Sequence, residues 1–375
     1  MKKTNVIVSL LMTVLMLTSV IFLNAKTKKP SVEIAILLDT SGSMEGLIDQ
    51  AKTQLWKIVN EMATAKRDGV APELKVALYE YGKSSLPASE GYMRMIVPLS
   101  TDLDLLSEEL FKLKTNGGSE YCGMVIGKAV KELKWSKSNK DYKVIFIAGN
   151  EPFTQGKIDY RMTCKNAITN GIIVNTIFCG NFDSGIKTKW KDGSDLADGT
   201  YMNIDQNKKI AYISAPQDKE LIKLGKRLNE TYVSFGSVGA KMKERQKKQD
   251  KNALSMSPGV MVQRSVAKSS AQYRNESWDL VDAEGTGRVK VEELKKEELP
   301  EEMKKMSVKE RKVYLQKKSE ERKKLQKEIK KLKLERDRYI AKKRKESTEK
   351  DTLDSAIIGA IRKQAKKKKF EFEKK

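Results

Sequence analysis

The stretch Ile36-Leu37-Leu38-Asp39-Thr40-Ser41-Gly42-Ser43-Met44 decides how the chain is read. Three apolar residues run into an aspartate, and two serines follow at alternate positions. An apolar run stopped by a carboxylate reads as a buried strand that ends in a tight loop. Gly42 lets the backbone bend between the two serines. The loop presents one carboxylate and two hydroxyl oxygens, which are hard ligands suited to Mg²⁺ or Ca²⁺.

Working outward, strand-like and helix-like pieces alternate from 31 to 236. Strands are expected at 32–38, 74–81, 92–99, 143–148, 172–178 and 201–204. Pro98 suits an edge strand, because proline cannot donate to a ladder. Helices are expected at 46–66, 101–113, 121–133, 158–170 and 218–235, from apolar residues at helical spacing. Gly171 is placed to cap one and Gly236 to end another. The pattern is an α/β one: a doubly wound, mainly parallel sheet with helices on both faces. Ligands of such sheets bind beyond the carboxyl ends of the strands. Asp39 lies at that edge, as do the loops after Ala148 and Phe178.

Asp39-x-Ser41-x-Ser43 resembles the signature of the von Willebrand factor A (vWA) domain and its metal-ion-dependent adhesion site, within a Rossmann-like sheet. The resemblance covers roughly 32 to 236. It implies ligands from two further loops. Gly117-Gly118-Ser119-Glu120 stands where the family has a threonine after a glycine pair, and Ser119 offers the same hydroxyl chemistry. The third loop runs Gly149-Asn150-Glu151-Pro152, and Gly149 stands where the family has an aspartate. Asn150 or Glu151 would have to reach inward instead. The implied metal set is Asp39, Ser41, Ser43 and Ser119, with Glu151 as a further candidate. The implied cofactor is Mg²⁺ or another divalent cation, held weakly because a carboxylate is missing. Restoring aspartate at 149 is expected to tighten binding, provided Gly149 does not need a positive φ. The alternative is a degenerate site whose Asp and Ser cap the next helix. The segments 121–123, 148–153 and 174–180 further resemble a bacterial exported vWA subgroup with a basic helical C-terminal region.

The sequence has 375 residues, a net charge of +24 and no histidine. Without histidine the usual general base of hydrolases and the commonest zinc ligand are missing. Ser41, Ser43 and Cys122 therefore lack a base to activate them, and an enzyme is the least supported class. The charge is uneven: 241–375 holds 42 Lys and Arg against 24 Asp and Glu. Residues 301–345 are expected as one long or folded-back helix with a thin apolar seam (Leu315, Leu325, Ile329, Leu332, Tyr339). Lys318, Arg322 and Arg336 interrupt its heptads, so it is a weak coiled coil at best. The spacing from Asp282 to Glu293 is partly that of an EF-hand loop, with a turn before a helix as the alternative.

Lys2 and Lys3, an apolar run from Val6 to Leu23 and Ala25 predict a cleavable export signal over 1–25; an uncleaved membrane anchor is the alternative. The expected organisation is then a vWA domain at 29–239, a linker region at 240–300 and a basic helical region at 301–375. The chain is expected to be exported, periplasmic or associated with the cell envelope. Cys122, Cys164 and Cys179 allow one disulfide and a spare thiol, or three buried thiols. Two roles follow. In one, the metal site engages a protein partner through an acidic side chain. In the other, the domain is a scaffold and the basic tail binds an anionic envelope surface. Nucleic acid is disfavoured for an exported chain.

Overall fold

A computed structural model describes residues 29–204, 212–345 and 353–373. The expected signal over 1–25 lies outside the described residues.

In chain order the elements are β1 (Ser31–Asp39), α1 (Glu45–Met62), β2 (Ala65–Lys66), β3 (Glu73–Tyr81), β4 (Met93–Ser100), α2 (Leu103–Lys112), α3 (Cys122–Glu132) and β5 (Tyr142–Gly149). Then come α4 (Tyr160–Thr169), β6 (Ile172–Cys179), α5 (Phe182–Lys187), α6 (Trp190–Asp195), β7 (Tyr201–Ile204) and α7 (Asp218–Asn229). The C-terminal part adds α8 (Gly236–Met256), α9 (Pro258–Lys268), α10 (Leu280–Gly285), α11 (Val308–Lys345), α12 (Leu353–Lys367) and β8 (Glu371–Phe372).

The main sheet has the order β4-β3-β1-β5-β6-β7. Only β4 runs antiparallel, and it is an edge strand, which accommodates Pro98. All nine residues of β1 are buried, because the strand is flanked on both sides and covered on both faces. Its register sets Asp39 beside Tyr81 of β3 and Leu38 beside Ala148 of β5. The sheet is doubly wound, as the strand–helix alternation predicts. On one face α3, α4 and α6 pack through Val125, Ile126, Cys164 and Trp190. On the other, α1, α2 and α7 pack through Leu55, Val59, Leu106 and Leu224.

The second face is where the structure departs from the sequence reading. The stretch 240–300, expected as a linker, is folded and packed. Ser257 caps α9, its Oγ accepting the Val260 N–H at 3.2 Å, and Pro258 fills the first helical position. Val260, Met261, Val262, Val266 and Ala267 then join the core that α1 and α7 line. α7 stops at Asn229, earlier than the expected 235, because 230–235 leaves the helix and Ser234 bridges Asp279. Gly236, with φ +71°, opens α8 rather than ending α7.

The expected long helix is α11, a single unbroken helix. It docks on the domain along its apolar seam. Its Leu325 and Ile329 are buried in the same core. Arg322, expected as an interruption, is buried: Nη1 donates to Asp279 at 2.7 Å and Asp282 at 2.8 Å, Nη2 donates to the Thr231 carbonyl at 2.6 Å, and the guanidinium lies 4.1 Å over the Tyr232 ring. Arg336 likewise meets Asp218 at 2.6 Å. The Asp282–Glu293 spacing does not make a calcium loop, since Asp282 faces Arg322 and Glu284 accepts the Val291 N–H at 3.1 Å. α12 returns to the sheet, where Gln364 accepts from Tyr142 Oη at 2.8 Å and donates to Asn175 at 2.7 Å. β8 then pairs with β2.

Candidate metal centre

Three loops meet at the carboxyl edge of β1, β3 and β5. The first begins with Asp39, which is wholly buried. Its Oδ1 accepts the Ser41 N–H at 2.8 Å, an Asx turn that fixes the loop. The Thr40 N–H donates to the Tyr81 carbonyl at 2.8 Å, and its hydroxyl donates to Glu80 at 3.3 Å, so Thr40 points away from the site. Ser41 is buried at 5 % exposure, and Ser43 is exposed.

The second loop is pinned to the first by backbone. The Asn116 N–H donates to the Thr40 carbonyl at 3.0 Å, and the Ser84 N–H donates to the Gly117 carbonyl at 2.5 Å. A methyl group on Gly42 would lie 3.6 Å from the Gly117 nitrogen, so the loops are in van der Waals contact. Ser119 is thereby carried to the same edge and is half-buried. The third loop brings Asn150, whose Nδ2 donates to Ser43 Oγ at 3.1 Å. Glu151 follows, its backbone carbonyl accepting the Trp190 indole N–H at 2.8 Å.

The structure thus places Asp39, Ser41, Ser43, Ser119 and Glu151 on three loops of one edge. It also brings in two residues that the spacing did not single out. Tyr81 sits beside Asp39 in register, and its hydroxyl donates to the Ala148 carbonyl at 2.9 Å. Glu120 is buried at 5 % exposure, and its N–H donates to Gln155 at 2.5 Å. Its position directly after Ser119 was the available signal: a charged residue on a loop that the fold presses against Asp39.

The electrostatics are those of acids crowded away from water. Burial raises the Asp39 carboxyl to about 6, aided by the Glu151 charge. Burial, with Asp39 and Glu151 adding repulsion, raises Glu120 to about 7. No described lysine or arginine pairs with either. Among the described residues, Asp39 Oδ2, Ser41 Oγ and Asn150 Oδ1 are buried with no hydrogen bond of ordinary geometry, while the Ser41 hydroxyl lies close enough to Asp39 and Glu120 to hold both carboxyls down against burial. Buried polar atoms are nearly always satisfied, so these three oxygens, on two loops of one sheet edge, are free to take a further partner. The donor set is oxygen throughout, the chemistry of Mg²⁺, Mn²⁺ or Ca²⁺. Among the described residues, no three His, Cys, Asp or Glu side chains make a metal group by themselves, so a cation here would depend on hydroxyl oxygens as well.

Position 149 behaves differently from expectation. Its φ is not in the left-handed region, so backbone strain is not the obstacle. A Cβ there would stand 2.6 Å from Tyr81 Oη and 3.0 Å from Asp39 Oδ2. The space for an aspartate is taken by the tyrosine. The cysteines are three free buried thiols. Burial pushes Cys122 and Cys179 far above the usual thiol range, which makes them inert rather than nucleophilic.

No curated protein matches the chain. Among solved structures, similar folds include the conserved hypothetical protein BatB from Bacteroides thetaiotaomicron, at 15% identity over 47% of this chain and 91% of that one, with a TM-score of 0.36. The SpRpn10 VWA domain is similar at 14% identity over 46% of this chain and 88% of that one, with a TM-score of 0.35. Proximal thread matrix protein 1 from the mussel byssus, described with a zinc-occupied MIDAS motif, is similar at 11% identity over 48% of this chain and 43% of that one, with a TM-score of 0.36. The family model of the von Willebrand factor type A domain matches residues 33–189, and that part of the chain is a vWA domain.

Proposed function

We propose that the chain is an exported binding protein whose vWA domain engages a protein partner through a divalent cation, Mg²⁺ in the first instance, held by Asp39, Ser41, Ser43 and Ser119. The observation that carries this is the set of buried atoms with no hydrogen bond of ordinary geometry, Asp39 Oδ2, Ser41 Oγ and Asn150 Oδ1. A bound cation would supply a positive centre with an open position for an acidic side chain of the partner. The chain's own part is to fix the oxygens: the Asx turn sets Asp39, the Asn116 and Ser84 hydrogen bonds seat the second loop, and Asn150 orients Ser43. Glu151 stands at the rim, where it adds negative charge. The role is binding rather than catalysis, since the buried thiols are protonated and no histidine serves as a base.

A second reading is favoured by α11. The helix carries 18 Lys and Arg against six Asp and Glu. One face buries Arg322, Leu325, Ile329 and Arg336, while Lys324, Lys327, Lys331, Arg338 and Lys342 lie on the opposite, solvent-facing side. Such a row fits an anionic envelope surface, with the vWA fold as its scaffold. Capture from an envelope extract separates the two. Loss of the partner with EDTA or with Asp39→Ala, and its retention in high salt, supports the cation reading. Capture that ignores EDTA and Asp39→Ala but falls steeply with salt selects the second.

A further inference from the structure

We propose that Glu120 is the second carboxylate of the cation site and replaces the aspartate that position 149 lacks. The inference rests on the cation reading above and adds a ligand to it.

Four observations point to it. The Gly149 side of Asp39 is closed, because a side chain there would run into the Tyr81 hydroxyl. The Glu120 side chain instead comes near the other carboxylate oxygen, Oδ1. A Cβ on Gly82 would lie 2.7 Å from Asp39 Oδ1, 2.8 Å from Glu120 Cγ and 3.5 Å from Glu120 Cδ. Asp39 Oδ1 and the Glu120 side chain therefore border the same space beside Gly82, whose φ is +78° and which carries no side chain of its own. Glu120 is nearly as enclosed as Asp39, and no described cationic side chain pairs with it. Last, Ser41 Oγ is buried with no hydrogen bond of ordinary geometry, on the residue whose N–H meets Asp39 Oδ1.

Two unpaired carboxylates held this close repel each other unless a cation or a proton lies between them. Two carboxylates and neutral hydroxyl oxygens suit a small divalent cation that keeps some of its water. The site then carries twice the negative charge that Asp39 alone would give. Glu120 is a cation ligand here, and Gln155 is its positioning residue, since it accepts the Glu120 N–H.

Titration of Mn²⁺ into the described protein by calorimetry, with paramagnetic resonance of free Mn²⁺ as a second readout, tests this. Glu120→Gln keeps the shape and removes the charge, so it should weaken Mn²⁺ at least tenfold. Asp39→Asn should abolish binding. Thermal melts without metal control for folding: Glu120→Gln should melt at or above the wild-type temperature, because a buried repulsion is removed. Binding in Glu120→Gln within twofold of wild type, with loss in Asp39→Asn, overturns the Glu120 assignment and leaves the cation reading standing. No binding to the wild type at millimolar Mn²⁺ overturns both.

Discussion

At the scale of single residues, the site is governed by what the neighbours of Asp39 leave room for. Sequence spacing singles out Asp39, Ser41 and Ser43 as candidates, because a D-x-S-x-S run needs only local geometry to be recognised. It could not reveal Tyr81. That residue reaches position 149 only through the β1–β3 and β1–β5 registers, which are long-range facts. The expectation that aspartate at 149 strengthens the site is corrected for that reason. Gly149→Asp must displace the Tyr81 hydroxyl from the Ala148 carbonyl and set a second carboxylate against Asp39 Oδ2. Overpacking a buried position costs about 1–3 kcal/mol, before any charge repulsion is counted. The variant should therefore unfold at lower urea than wild type and bind Mn²⁺ no more tightly. Denaturant melts with and without metal check this, and a more stable, tighter-binding variant would refute the account.

At the scale of elements, Arg264 and Lys268 fall in the stretch expected as a linker, and sequence shows charge but not burial. A lysine- and arginine-rich stretch ordinarily marks a solvated face. Here Arg264 and Lys268 of α9 are wholly buried. Arg264 meets Asp250 of α8 at 2.6 Å and Asp104 of α2 at 2.7 Å, and its guanidinium lies 4.7 Å over the Trp56 ring of α1. Lys268 meets Asp250 at 2.6 Å and Asn229 at 2.7 Å. Two acids and two bases thus tie α2, α8 and α9 together. Burial alone would raise the Asp250 carboxyl, but the Lys268 and Arg264 charges more than offset this and hold it at about 2. An unfolded aspartate titrates near about 3.9. The folded value is the lower one, so the stabilisation is complete above about pH 4 and is lost as pH falls through about 2. Asp250→Asn leaves Arg264 and Lys268 short of a counter-charge and should destabilise by roughly 3 kcal/mol at neutral pH. The gap to wild type should narrow between pH 4 and pH 2. Urea melts across that range measure it, and a gap that does not change with pH would exclude Asp250 as the source.

At the scale of the whole molecule, the alternation of strands and helices made the sheet legible, since each element's period is written in its own residues. The boundary of the folding unit was not legible in the same way. A linker was expected where composition changes, yet α9 has a capped start and a buried apolar face. The sheet's second face is closed by three sources: α1, α2 and α7 from the first 240 residues, α9 from the middle, and α11 and α12 from the end. Leu325 and Ile329 of α11, Ile357, Ile361 and Ala365 of α12, and Phe370 all enter that one core. Removing 240–375 would expose the apolar surface beneath them, and would leave Asp104, Asp218 and Glu61 without the arginines that meet them. Burial of a single large aliphatic side chain is worth about 1.5–3 kcal/mol, and a whole domain is stable by only about 5–15 kcal/mol. Loss of so many contacts therefore exceeds what the remaining fold can absorb. A fragment spanning 29–239 should aggregate or melt without a cooperative transition, and should bind a dye for exposed apolar surface. The described chain through 373 should melt as one unit. Calorimetry of the two decides the matter: a soluble fragment with a cooperative transition near that of the full chain would mean that the C-terminal helices are an attachment to the vWA domain and not part of its core.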